Sequence, residues 1–183
     1  FIMTSLSARF VFSSIGSEGG AFYHIKSSPI SLRRFLLYKY LFYAIPFTIL
    51  SLTLIIMSNK ILHVEGPMWW ISVSTNLFIT WVVVGLALAF GAIYADFKAE
   101  NKTVAMGSMG AILFLLFATA FQIIIIFIGA NPIYRIVKIW INNYAFNTSD
   151  FYLLILWIII SVLLSVSMVI YFFQKGIRVL ENS

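Results

Sequence analysis

The stretch Ala111–Ala130, AILFLLFATAFQIIIIFIGA, carries no charge, and only Thr119 and Gln122 bring polar side chains into it. A helix rising 1.5 Å per residue crosses the roughly 30 Å hydrocarbon core of a bilayer in about 20 residues. This stretch has that length. A membrane barrel would instead need strands of about ten residues with alternating polarity, and a run such as QIIIIFIGA does not alternate. A lone spanning segment must also satisfy its own backbone hydrogen bonds, which leaves the helix. Three further apolar segments read the same way: Leu36–Ser58, Pro67–Tyr94 and Phe151–Phe173. Phe1–Phe12 reads as the end of a fifth helix, and the chain as the C-terminal part of a longer protein. The expectation is an all-α integral membrane protein. It would be a polytopic bundle of four complete transmembrane helices plus the end of a fifth, with residues 1–183 forming a single transmembrane domain.

Composition supports that class. Hydrophobic residues make up 62% of the chain and charged ones 10%, and the mean hydropathy is +1.01. A soluble domain has roughly a quarter of its residues charged. The net charge of +6 therefore reports loop placement rather than a nucleic-acid partner. Arg9, Lys26, Arg33, Arg34, Lys39, Lys98, Lys102, Lys175 and Arg178 fall on one side of a four-crossing arrangement, against Lys60, Arg135 and Lys138 on the other. The first side, with the C-terminus, is expected in the cytoplasm. The absence of cysteine excludes disulfides and thiolate chemistry.

The segment interiors hold Thr48, Ser51, Asn76, Thr80, Thr119, Gln122, Ser161 and Ser165, none of them charged. Ion-coupled carriers need ionisable groups at that depth, so such coupling is not expected within these segments. Small residues recur at helix-packing spacing, Gly85 with Ala89, Ala87 with Gly91, and Ser161 with Ser165. Pairs of this kind let backbones approach, either within the chain or across a homodimer seam. No HExxH or GxSxG motif is present. His24 and His63 lie on opposite faces, which argues against a metal site. No glycine-rich loop ends in Gly-Lys-Ser or Gly-Lys-Thr. The residues thus predict no catalytic activity, no metal and no cofactor held by this chain.

Two polar connections carry their own pattern. Residues 131–144 begin with Asn131 as a cap and Pro132 in the first turn, followed by Ile133, Val137, Trp140, Ile141 and Tyr144 at helical spacing. This predicts an external amphipathic helix lying in the membrane interface. Residues 17–34, SEGGAFYHIKSSPISLRR, predict a cytoplasmic helix and elbow. Ser17 and Glu18 suit its start, Ala21, Phe22 and Ile25 share one face, and Pro29 ends it. On the residues alone this element is either an interfacial anchor on anionic lipid or a docking helix.

The longer stretch SARFVFSSIGSEGGAFYHIKSSPISLRRFLLYKYL, Ser7–Leu41, resembles the cytoplasmic segment of a family of ATP-binding-cassette (ABC) exporter permeases. The shared residues are Arg9, Phe10, Val11, Phe12, Glu18, Gly19, Ala21, Phe22, Pro29, Ser31, Arg33 and Arg34. DFKAEN, Asp96–Asn101, is a second and shorter likeness. Gly20 departs from the arginine usual there, Tyr23 from tryptophan and Ser13 from proline. The resemblance implies a permease of a bacterial plasma membrane that moves an unknown substrate. Its partner would be an ATPase subunit on a separate chain, which would hold ATP and magnesium. Glu18, Phe22, Tyr23, Ile25 and Lys26 would dock that partner, and Asp96 and Glu100 would form a second contact. Two other readings stand beside it: a non-transporting anchor or assembly subunit, and part of a channel or secondary carrier.

Overall fold

A computed structural model of the chain describes residues 1–18, 31–95, 109–142 and 148–182. Among the described residues every regular element is helical. The N-terminal segment runs as α1 (Ile2–Ser7), a π-helical turn (Ala8–Phe12) and α2 (Ser13–Gly16). Four long helices follow: α3 (Leu32–Ile61), α4 (Pro67–Ile93), α5 (Met109–Asn142) and α6 (Thr148–Asn182). Each is long and apolar enough to cross a membrane. At 1.5 Å per residue they measure roughly 40 to 52 Å, more than the hydrocarbon core alone requires.

The helices alternate in direction around α4, which packs against α3, α5, α6 and the whole N-terminal segment. From Val82 to Ala92 every residue of α4 is buried. A helix that is apolar all round belongs inside its bundle, and the small residues among these let the neighbours come close. At one end of the bundle Phe90 centres an aromatic cluster, 4.7 Å from Phe172 and 5.6 Å from Phe117 between ring centroids. The outer faces of α3 and α6 are different. Phe42, Ile45, Ile49, Ile159, Leu163 and Tyr171 stand exposed there, a continuous apolar surface that a soluble protein would not present to water.

At the other end, the turn between α3 and α4 uses two residues of positive φ, His63 and Gly66. Gly66 caps α4 and Pro67 occupies its first turn, where a missing N–H is harmless. A Cβ on Gly66 would also collide with the ring of Trp140. Glycine is therefore required there twice over, by its backbone and by the ring against it.

The helix break expected at Asn131 is absent. α5 continues to Asn142 with Pro132 inside it. Gly110, Phe114, Ala118, Phe121, Ile125, Gly129, Pro132 and Ile136 form one buried stripe at three- and four-residue spacing. Packing against α4 and α6 thus holds the helix together through the proline. Neighbouring helices make such prolines tolerable in membrane bundles. Residues 143 and 144, like the expected docking helix beyond Glu18, lie outside the described residues.

Candidate functional site

Where the N-terminal segment meets α3, an ion pair and a backbone contact join the two. In the π-helical turn the wider hydrogen-bond register is reinforced by side chains. Ser13 Oγ donates to the Arg9 carbonyl at 2.6 Å, and Ser14 Oγ to the Val11 carbonyl at 2.7 Å. Val11, Phe12 and Ile15 are buried, so this turn sits against α4 rather than on the surface. Its closest approach is at Gly91. A Cβ on Gly91 would lie inside 3.0 Å of the Phe12 carbonyl oxygen and 3.1 Å from its carbonyl carbon. π-turns inside α-helices are found frequently at functional sites.

Lys39 of α3 reaches back to this segment. Its ammonium donates to the Ser14 carbonyl at 2.7 Å and to Glu18 Oε1 at 2.5 Å. It also lies 5.2 Å from the centroid of the Phe35 ring. Side-chain exposure is 11% for Lys39 and 31% for Glu18, so the pair is half withdrawn from solvent. The junction ties the last residue described before the segment 19–30 directly to a helix long and apolar enough to cross a membrane. Glu18, expected to face a partner, is engaged within the chain. Lys39 was not singled out from the sequence as a site residue. The signal was a lone cation five positions beyond Arg34 in an otherwise apolar helix, but its carboxylate lies 21 residues away, beyond any local pattern.

The remaining expected site residues divide into two groups. Phe22, Tyr23, Ile25, Lys26, Asp96 and Glu100 lie outside the described residues. Gly85, Ala89, Gly91, Ser161 and Ser165 are all placed. Gly85 faces Val169 and Tyr40, and Ala89 lies beside Gly176 of α6. Ser165 Oγ donates to the Ser161 carbonyl at 2.5 Å, while Ser161 Oγ is buried without a partner. Ser161 opens onto a cavity of about 340 Å³ between α4, α5 and α6, lined by Trp70, Phe78, Ile125, Pro132 and Trp157 among others. A second feature is the groove between α3 and α6, which starts at Arg33 and Gln174 and continues over Tyr40, Trp81 and Val166.

No curated protein and no solved structure matches the chain. A protein family does, described as "Putative ATP-binding cassette", over residues 1–183. This match overturns three expectations. The chain was read as a permease subunit without catalytic activity, with ATP and magnesium held only on a partner chain. The family description instead points to ATP binding, and with it to the magnesium and hydrolysis that accompany it, in the family of this chain itself. The absence of one phosphate-loop motif rules out one way of cradling phosphates, not ATP binding by the family.

The described cavities do not fit a magnesium nucleotide. The polyphosphate needs converging N–H donors and cations. The 340 Å³ cavity offers apolar side chains and a few hydroxyls, and the groove has a single arginine. Among the described residues no three His, Asp or Glu side chains come together as metal ligands. Over its whole length, residues 1–183, the chain belongs to the ATP-binding-cassette family that it matches.

Proposed function

We propose that this chain is a membrane-embedded helical member of the ATP-binding-cassette family, and that its nucleotide cycle is coupled to the long helices at the Glu18–Lys39 junction. The observation that carries the reading is the family match itself, because it runs through all four spanning helices. The junction supplies the physical route. A displacement at Glu18 pulls on α3 through Lys39 and on α4 through the Phe12–Gly91 contact. Packed helices shift as units in such transitions. The junction end faces the cytoplasm in this reading, since Arg9, Arg33, Arg34, Lys39, Lys175 and Arg178 gather there against Lys60, Arg135 and Lys138 at the opposite end.

The test uses the full-length protein in lipid nanodiscs and the absence of native cysteine in this chain. One cysteine replaces Ile61, an exposed residue at the end of α3 far from the junction. Its rate of thiol modification is expected to change when Mg-ATP is added, and Lys39→Met is expected to abolish that change while nucleotide binding persists. A modification rate indifferent to Mg-ATP would sink the nucleotide reading. A response that survives in Lys39→Met would remove the junction from it.

A further inference from the structure

α3 and α6 both pack on α4 but touch each other much less, and the space between them is a long groove. Its mouth is at the junction end, where Arg33 and Gln174 face each other across about 380 Å³ with Leu37 and Phe173 beside them. Further in, Tyr40, Val169 and Ile170 line this space and also the next one, of about 570 Å³, whose floor is Leu77 and Trp81 of α4. The α3 wall is fixed to that floor. Trp81 Nε1 donates to Thr48 Oγ1 at 2.9 Å, and Tyr40 Oη donates to the Trp81 carbonyl at 3.3 Å.

We infer that this groove binds one anionic phospholipid, with its phosphate on Arg33 and one acyl chain lying between α3 and α6. Three observations select that occupant. The groove extends from Arg33 to Thr48 along α3, 15 positions or about 22 Å of helix. Half of a bilayer's hydrocarbon core is about 15 Å, and the rest corresponds to the headgroup layer. The walls beyond the mouth are almost wholly apolar, as an acyl chain requires. At the mouth, Arg33 has no acidic partner among the described residues, and its guanidinium suits a phosphate held by two parallel hydrogen bonds. Arg34, Lys175 and Arg178 stand exposed at the same end. They favour a headgroup of net negative charge and disfavour one that carries its own ammonium. Basic pockets between spanning helices recognise anionic headgroups in this way.

The inference needs only the spanning helices and stands or falls apart from the nucleotide reading. The purified protein is stripped of lipid in detergent and exposed to equal amounts of phosphatidylglycerol and phosphatidylcholine. Bound lipid is then counted by native mass spectrometry. The wild type is expected to retain one phosphatidylglycerol in preference to phosphatidylcholine. Arg33→Gln is expected to lower that preference about fivefold, the factor equivalent to about 1 kcal/mol for one arginine beside an anionic headgroup. Lys60→Gln, at the opposite end, is expected to leave it unchanged. Ile170→Trp fills the groove and is expected to remove the retained lipid, while soluble glycerol phosphate displaces nothing. An unchanged preference in Arg33→Gln overturns the inference, because that exposed side chain can be lost without unfolding the bundle. Displacement by glycerol phosphate overturns it too, since the site would then be one for free phosphate.

Discussion

Replacing Gly91 with alanine puts a methyl group against backbone that cannot rotate away. The new Cβ would sit inside 3.0 Å of the Phe12 carbonyl oxygen, 3.1 Å from its carbon and 3.2 Å from its Cα. Relief requires the π-helical turn or α4 to move as a body, which would loosen Val11, Phe12 and Ile15 from their buried positions. Overpacking of this sort costs about 1–3 kcal/mol, whereas exchanging glycine for alanine inside a helix returns up to about 1 kcal/mol. The net expectation is a loss of about 1–2 kcal/mol. Gly85→Ala is the control on the same helix. Its nearest neighbours are side-chain atoms, Val169 Cγ1 at 3.2 Å and Tyr40 Cε2 at 3.5 Å, which can give by a few tenths of an ångström. It should change stability by less than about 1 kcal/mol, in either direction. Equilibrium unfolding in mixed micelles, with SDS as the denaturant and the five native tryptophans as the probe, measures both variants. If Gly91→Ala is as stable as the wild type, or Gly85→Ala is the worse of the two, the close backbone approach at Phe12 does not hold this bundle together.

Three smaller perturbations can be read on the same unfolding assay. Gln122→Leu removes the buried hydrogen bond that Gln122 Nε2 donates to Thr4 Oγ1 and should cost about 0.5–2 kcal/mol, the range found for polar contacts between membrane helices. An unchanged midpoint would mean that the N-terminal segment is not anchored through it. Lys39→Met should cost roughly 1–2 kcal/mol, between the values for exposed and buried pairs, and Glu18→Gln in the same chain should recover part of the loss. Full additivity of the two changes would show that the pair does not interact. Ser161→Ala removes a buried hydroxyl without a partner and should be neutral or stabilising by up to about 1 kcal/mol, whereas Ser165→Ala loses its bond to the Ser161 carbonyl and should be the less stable variant.

The four spans were legible because a bilayer sets their length and forbids unpaired backbone, and those constraints act on each segment alone. Which span lies at the centre was not legible from apolarity. The most hydropathic window of the four lies in α6, yet 11% of it is buried, against 67% for the corresponding, less hydropathic window of α4. In lipid an apolar side chain gains little by turning inward, so hydropathy does not rank burial. Residue size does better: Gly85, Ala87, Ala89 and Gly91, noted for their spacing, all fall in the buried run of α4. The continuation of α5 through Pro132 was hidden for a related reason. Asn131 and Pro132 are a start signal in an isolated helix, and only the stripe buried against neighbouring helices overrides it. The Lys39–Glu18 contact was invisible because it joins two elements across 21 residues.

The kind of contact differs between the two ends of the bundle, and the difference has a mechanical meaning. At the junction end α4 is held by backbone, the Phe12 carbonyl over Gly91 and Gly176 of α6 on Ala92 and the Ala89 carbonyl, and also by rings, Phe90 among Phe114, Phe117 and Phe172 and Tyr94 against Gly110. The two backbone contacts among these have no soft side chain to absorb a displacement. At the opposite end the close approaches are made by rings, Trp140 over Gly66 and Trp157 over Gly129, and the 340 Å³ cavity separates α4, α5 and α6. Rings can swing, and a cavity leaves them room. A push at the junction would therefore be passed on with little loss where α4 is gripped, and would emerge as helix separation where the packing is open. The proposed coupling of a nucleotide cycle to the helices needs that order of stiffness. It also makes the cavity end, rather than the junction, the place where an introduced cysteine should respond most strongly to Mg-ATP.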